Sequence, residues 1–142
     1  MPDTETTSPP PSTDVASTLV ASTIVVGYSA KPEGRAALRR AIAEATLRHS
    51  RLIVVHSSAD DELTGLQSEL ESSGITHTVR PVKDTLDPAE ELLNTADVSS
   101  AEFIVIGLRR RSPVGKLLLG SNAQRVLLDA SCPVLAVKAE PS

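Results

Sequence analysis

The sequence predicts an α/β fold: one doubly wound domain in which a five-stranded parallel sheet, in the order 3-2-1-4-5, is covered on both faces by about four helices. Three observations carry this. From Thr23 onward, short β-branched runs alternate with helical patterns, as in βαβ units. Four of the five runs are almost wholly apolar, as strands covered on both faces must be. The chain has 142 residues, 40% of them hydrophobic, which is enough for one core and not for two.

The segment Met1 to Ser22 is rich in Pro, Ser and Thr and carries Asp3, Glu5 and Asp14, so it reads as a disordered tail ahead of a domain spanning 23–142. It lacks the basic start and apolar stretch of a signal peptide. The first strand is Thr23 to Gly27 (TIVVG). A helix from Glu33 to His49 follows, with Ala37, Leu38, Ala41, Ile42 and Ala45 on one face. Leu52 to His56 (LIVVH) is the second strand. The next helix, from about Asp60 to Ser72, is short, and Ser73-Gly74 stops it. The third strand, Thr76 to Val82, alternates polar and apolar residues and contains Pro81, which cannot donate to a ladder, so it belongs at an edge. Asp87-Pro88 is a capping residue followed by proline at the first helical position, opening a helix that runs to about Val98. Phe103 to Gly107 (FIVIG) is the fourth strand. A helix after Gly120-Ser121 has Ala123, Val126, Leu127 and Ala130 as its buried stripe, and Val134 to Lys138 (VLAVK) closes the sheet.

Composition removes several function classes. The formal charge of −4 gives no global pull toward nucleic acid or anionic membrane, and with only Tyr28 and Phe103 as aromatics there is no base-stacking platform. No apolar run approaches the roughly 20 residues that span a bilayer. Cys132 is the only cysteine, which excludes an internal disulfide; beside Pro133 it reads as a small core residue. A cytoplasmic protein is expected. His49, His56 and His77 share no metal-ligand spacing, so no metal site is identified. His56 ends the second strand and is read as a structural imidazole. Asp60, Asp61 and Glu62, like Glu90 and Glu91, fall in first helical turns and are read as macrodipole partners. No nucleophile, base and orienter stand at a spacing that makes a catalytic set.

In the predicted strand order the chain reverses direction between strands one and four, so the loops after Gly27 and Gly107 open beside each other into a crevice. After the fourth strand the sequence reads IVIGLRRRSPVGKLLLGSNAQRVLLDASCPVLAVK. Glycine admits close backbone approach, and the helix start at Gly120-Ser121 offers unpaired N–H groups to a phosphate. Alternatively, Gly107 permits a turn and Ser121 caps the helix. Arg109, Arg110, Arg111 and Lys116 place four cations in one loop of an acidic chain. They suit phosphate pairing, a solvated loop, or pairing with acids of the same molecule. A P-loop is excluded, because position 110 is Arg and position 117 is Leu.

The segment from Gly107 to Lys138 resembles the C-terminal signature of universal stress proteins, whose nucleotide-binding members carry Gly, two residues, Gly, nine residues, Gly, then Ser or Thr. IVVGYSAKPEGRAALRRAIAEA resembles the first βα unit of that family, and LIVVHS its second strand, so the likeness covers about Thr23 to Lys138. The resemblance implies an architecture like that of the adenine nucleotide alpha hydrolases, and ATP or another adenine nucleotide as ligand. The contacts it suggests, together with the crevice, are Gly27, Ser29 and Ser57 after the first two strands, then Ile106, Gly107, Arg109 and Arg110, then Gly120, Ser121 and Asn122. Two positions depart from the pattern: the middle glycine falls on Arg110, and the aspartate after the first strand falls on Ser29. Three readings follow. One is a stress-responsive regulator that binds an adenine nucleotide or related phosphate ligand. The second is a dimeric interaction scaffold that binds none. The third, a weak ATP hydrolase, lacks at Ser29 the carboxylate that a metal would need. The resemblance also implies a homodimer formed through the last strand, Val134, Leu135, Ala136 and Val137, whose open edge invites pairing.

Overall fold

The computed structural model describes residues 22–57, 63–82, 87–110 and 117–139. The expected tail up to residue 21, the run Asp60 to Glu62, and Arg111 and Lys116 lie outside the described residues, as does the side chain of Arg110. In chain order the elements are β1 (Thr23–Tyr28), α1 (Pro32–Arg48), β2 (Arg51–His56), α2 (Leu63–Ser73), β3 (His77–Pro81), α3 (Pro88–Ser99), β4 (Phe103–Arg110), β5 (Leu117–Leu118), α4 (Ser121–Asp129) and β6 (Val134–Lys138).

The five parallel strands lie in the order β3-β2-β1-β4-β6, the expected 3-2-1-4-5 arrangement. Alternate residues of each strand feed two cores. Ile24, Val26, Leu52, Val54 and Val105 pack under α1 and α2, while Val25, Ile53, Val55, Ile104 and Ile106 pack under α3 and α4. This two-sided burial is why the central strands carry unbroken apolar runs. β3 pairs only with β2, with Thr78 and Arg80 exposed and His77 and Val79 half-buried, as its alternating pattern requires at an edge.

Local chemistry sets the helix ends. Asp87 accepts a hydrogen bond from the Glu90 N–H at 2.8 Å and so caps α3, with Pro88 in its first turn. α1 ends at His49 in the left-handed region (φ 56°), and α2 is followed by Gly74 at φ 73°. Among the described residues, no helix is long and apolar enough to cross a membrane.

Three expectations need correction, and that for Glu91 gains a detail. Gly107 does not end its strand: β4 runs on to Arg110 and pairs antiparallel with the two-residue β5, Arg109 opposite Leu118 and Arg110 opposite Leu117. The stripe on α4 is narrower than its periodicity suggests, with Val126 buried, Ala123 and Ala130 half-buried and Leu127 39% exposed. The helix sits over the β4–β6 border, and among the described residues no strand lies beyond β6 to cover it. Glu91 does lie in the first turn of α3, yet it is buried, with Oε1 lacking a hydrogen-bond partner and Oε2 accepting from Thr95 at 3.3 Å. Finally, Ser121 is not a cap: Gly120 holds the N-cap position of α4, and Ser121 is its first helical residue.

Candidate functional site

The β1–β4 ladder joins only Ile24 to Phe103, Val25 to Ile104 and Val26 to Val105. Beyond it the two strands no longer pair, as the reversal of chain direction at this point of the sheet requires. The first turn of α1 fills part of the gap. A Cβ placed on Gly107 would lie 2.0 Å from the Glu33 carbonyl oxygen, and one on Gly34 would lie 2.4 Å from the Ser29 backbone nitrogen and oxygen. Both glycines are therefore required by the chain's own packing. Gly107 allows α1 to rest on β4, which differs from the turn and from the ligand approach expected of it.

Above this contact the strand ends and the starts of α1, α3 and α4 enclose a pocket of about 200 Å³. Val55, Val82, Leu92, Ile106 and Val126 make its walls apolar, and Ser29, Glu33, Ser57 and Asn122 place polar groups at its border. Arg125 ties two of its walls together, reaching from α4 to the α3 cap residue Asp87 at 3.0 Å and to Glu90 at 3.6 Å. A second recess of about 210 Å³ adjoins it, lined by Gly107, Leu108, Arg109 and the start of α4 from Gly120 to Ala123. Glu33, Gly107, Asn122 and Ala123 border both spaces.

The recess has the chemistry of an anion site. α4 begins at Gly120 without a side-chain cap, so the N–H groups of its first turn have no intrahelical acceptor and the positive end of its dipole faces the recess. Gly120 itself has ordinary backbone angles (φ −68°, ψ 167°). Among the described residues, a Cβ there would meet only an Arg109 guanidinium nitrogen, at 3.7 Å. None of the described residues thus requires glycine at position 120, whereas Glu33 does at position 107. Arg109 also pairs with Glu33, Nε to Oε2 at 3.6 Å, so one of the loop cations is held by an acid of the same molecule.

Of the residues singled out from sequence, Gly27, Ser29, Ser57 and Ile106 line the pocket, Arg109, Gly120 and Ser121 line the recess, and Gly107 and Asn122 line both. Arg110 contributes its backbone to β4. Sequence reasoning missed Glu33, Val82, Pro88 and Leu92. Pro32 and Pro88, each opening a helix beside the crevice, were the available signals for the first-turn residues. His56 is buried on the α1–α2 side with Nδ1 unpartnered and does not line the pocket. Cys132 packs against the α3–α4 core, and partial burial, with Asp97 adding to it, pushes its thiol above the ordinary value, so it is no activated nucleophile. Among the described residues no group of three His, Cys, Asp or Glu side chains is arranged to hold a metal ion.

Comparison with known proteins agrees with this geometry. A family model described as the universal stress protein family matches residues 21–138. A universal stress protein of Mycolicibacterium smegmatis is 47% identical over 127 residues, covering 81% of this chain and 96% of that protein. The structure of a universal stress protein from Archaeoglobus fulgidus superposes with a TM-score of 0.69 at 30% identity, covering 83% of this chain and 98% of that one. A structure from the same organism in complex with dAMP gives 0.63 at 26% identity, covering 84% and 99%.

Proposed function

This chain belongs to the universal stress protein family, and we propose that it binds an adenine nucleotide or a closely related phosphate compound at the switch point between β1 and β4. One observation carries the reading: an apolar pocket and a cationic, N–H-lined recess are contiguous across Gly107. That is the division of chemistry a nucleoside phosphate needs, with base and sugar in the first space and phosphate in the second. In this reading Val55, Leu92 and Ile106 sequester the nucleoside, Ser29 and Ser57 offer it hydrogen bonds, and Arg109 with the first turn of α4 takes the phosphate. The dAMP-bound relative supports the ligand class.

Ligand binding acts by population shift. A molecule touching both α1 and α4 stabilises the arrangement in which these elements close on it, and so alters what the protein presents to partners. Calorimetry with ATP, ADP, AMP and cyclic AMP tests this. Binding of at least one below millimolar concentration is expected, and binding of none would overturn it. The rival reading, a scaffold without a ligand, draws on Ser29 and on the Arg109–Glu33 pair, which already neutralises part of the recess.

We also propose that the protein acts in the cytoplasm as a homodimer joined through β6. Among the described residues the strand pairs on one side only, with β4, and Val134, Leu135, Ala136 and Val137 are all half-buried. Sedimentation of the wild-type chain and of Leu135→Asp is the check, with a dimer expected for the first and a monomer for the second. A wild-type monomer at micromolar concentration removes this part of the reading.

A further inference from the structure

We infer that Glu33 is a built-in competitor for phosphate and sets which ligands the site accepts, favouring those of low phosphate charge over polyphosphates. The inference rests on the switch-point reading above. The Arg109 guanidinium reaches from Glu33, at 3.6 Å, to the entrance of α4 beside Gly120, at 3.7 Å from the point where a Cβ would stand. A cation beside a helix N-terminus is unfavourable, because both ends of that contact are positive. The Glu33 carboxylate is the charge that offsets it.

Glu33 is also well placed to compete. Its side chain is only 18% exposed, it borders both pocket and recess, and it is the one carboxylate among the described residues lining either space. Its backbone is fixed by the close contact of its carbonyl with Gly107, so the carboxylate projects from a point that cannot retreat along the helix. Among the described residues, the carboxylate's partner is the Arg109 guanidinium. A phosphate entering the recess takes Arg109 from Glu33 and leaves the carboxylate at its side without that partner. Each further negative charge on the ligand then meets that carboxylate across a few ångströms of partly dehydrated space, where repulsion is stronger than in water. Added phosphate charge thus meets growing repulsion in this recess.

The test compares wild type with Glu33→Gln, using orthophosphate, inorganic tripolyphosphate, adenosine, AMP and ATP as probes and calorimetry as the readout. The variant is expected to bind tripolyphosphate and ATP about tenfold more tightly, and orthophosphate and AMP about threefold, leaving adenosine unchanged. Adding Arg109→Gln to Glu33→Gln should remove the part of the gain that passes through the released guanidinium and keep the part that comes from relieved repulsion, so that tripolyphosphate still gains more than orthophosphate. Glu33→Asp, which keeps the first-turn charge of α1 but withdraws the carboxylate by one methylene, should give a smaller gain and guards against a folding defect in the first variant. An equal gain for all anions, no gain, or a uniform loss that includes adenosine would overturn the inference. If the inorganic anions follow the expected order while adenosine, AMP and ATP bind neither protein, Glu33 keeps its role and the nucleotide reading fails. If no probe binds either protein, both fall.

Discussion

Gly107, inside β4, and Gly120, at the start of α4, occupy the first and last glycine positions of one sequence pattern, yet the fold uses them differently. At Gly107 the Glu33 carbonyl would lie 2.0 Å from a Cβ, so the residue is fixed by packing of the chain against itself. At Gly120 the nearest described atom, on the Arg109 side chain, lies 3.7 Å from that point, and the backbone angles suit any residue. A glycine that folding requires says little about a ligand. One that folding leaves unexplained, at an uncapped helix start beside an arginine, is the more informative of the two.

Breaking the contrast at its strong end gives the largest effect. Gly107→Ala forces α1 away from β4 and should cost about 3 kcal/mol or more, seen as a collapse of the thermal midpoint or failure to fold. Gly120→Ala should change stability by only about 0.5–1 kcal/mol, the ordinary difference between these residues at an N-cap, while lowering nucleotide affinity about tenfold by placing a methyl group where phosphate approaches. A tenfold loss at Gly120 without a matching loss of stability would sharpen the comparison; unchanged affinity would break it.

A third position tests whether the α3 wall of the pocket is shaped for stability. Glu91 is 3% exposed with one carboxylate oxygen unpartnered, an arrangement that favours replacement by an apolar residue of similar size. Glu91→Leu should raise stability by about 1 kcal/mol, read as a midpoint several degrees higher, and a lower midpoint would show that the carboxylate contributes an interaction instead.

The fold was largely legible because β-branched runs, Pro-opened helices and Gly74 each obey local rules that agree with one another. β5 was not, since two residues carry no hydrophobic period. Ser121 looked like a cap by its residue type, but cap identity depends on where the helix begins, and that point is one residue earlier. Glu33 was invisible as a site residue for a different reason. An acid in a first turn is normally explained by its own helix, and only the seating of α1 on Gly107 turns it toward the crevice.

The smallest effect comes from the far end of α1 and serves as a control. Hydrogen bonding from Arg48, and then from Arg40, holds the Glu44 carboxyl below its usual value despite some opposing burial. A folded-state pKa below the unfolded one adds stability that is complete above the unfolded value and is lost as pH falls through the folded one. Glu44→Gln should therefore lose a small increment near neutrality and match wild type in strong acid, with ligand affinity untouched at every pH.

The most direct test of the central claim is a titration with AMP followed by amide NMR. The account predicts saturable shifts below millimolar ligand at Gly107, Gly120, Ser121, Asn122 and Ala123, with Thr46 and His49 at the opposite end of α1 unmoved. Shifts absent from the α4 entrance, or no larger there than at Thr46 and His49, would contradict it.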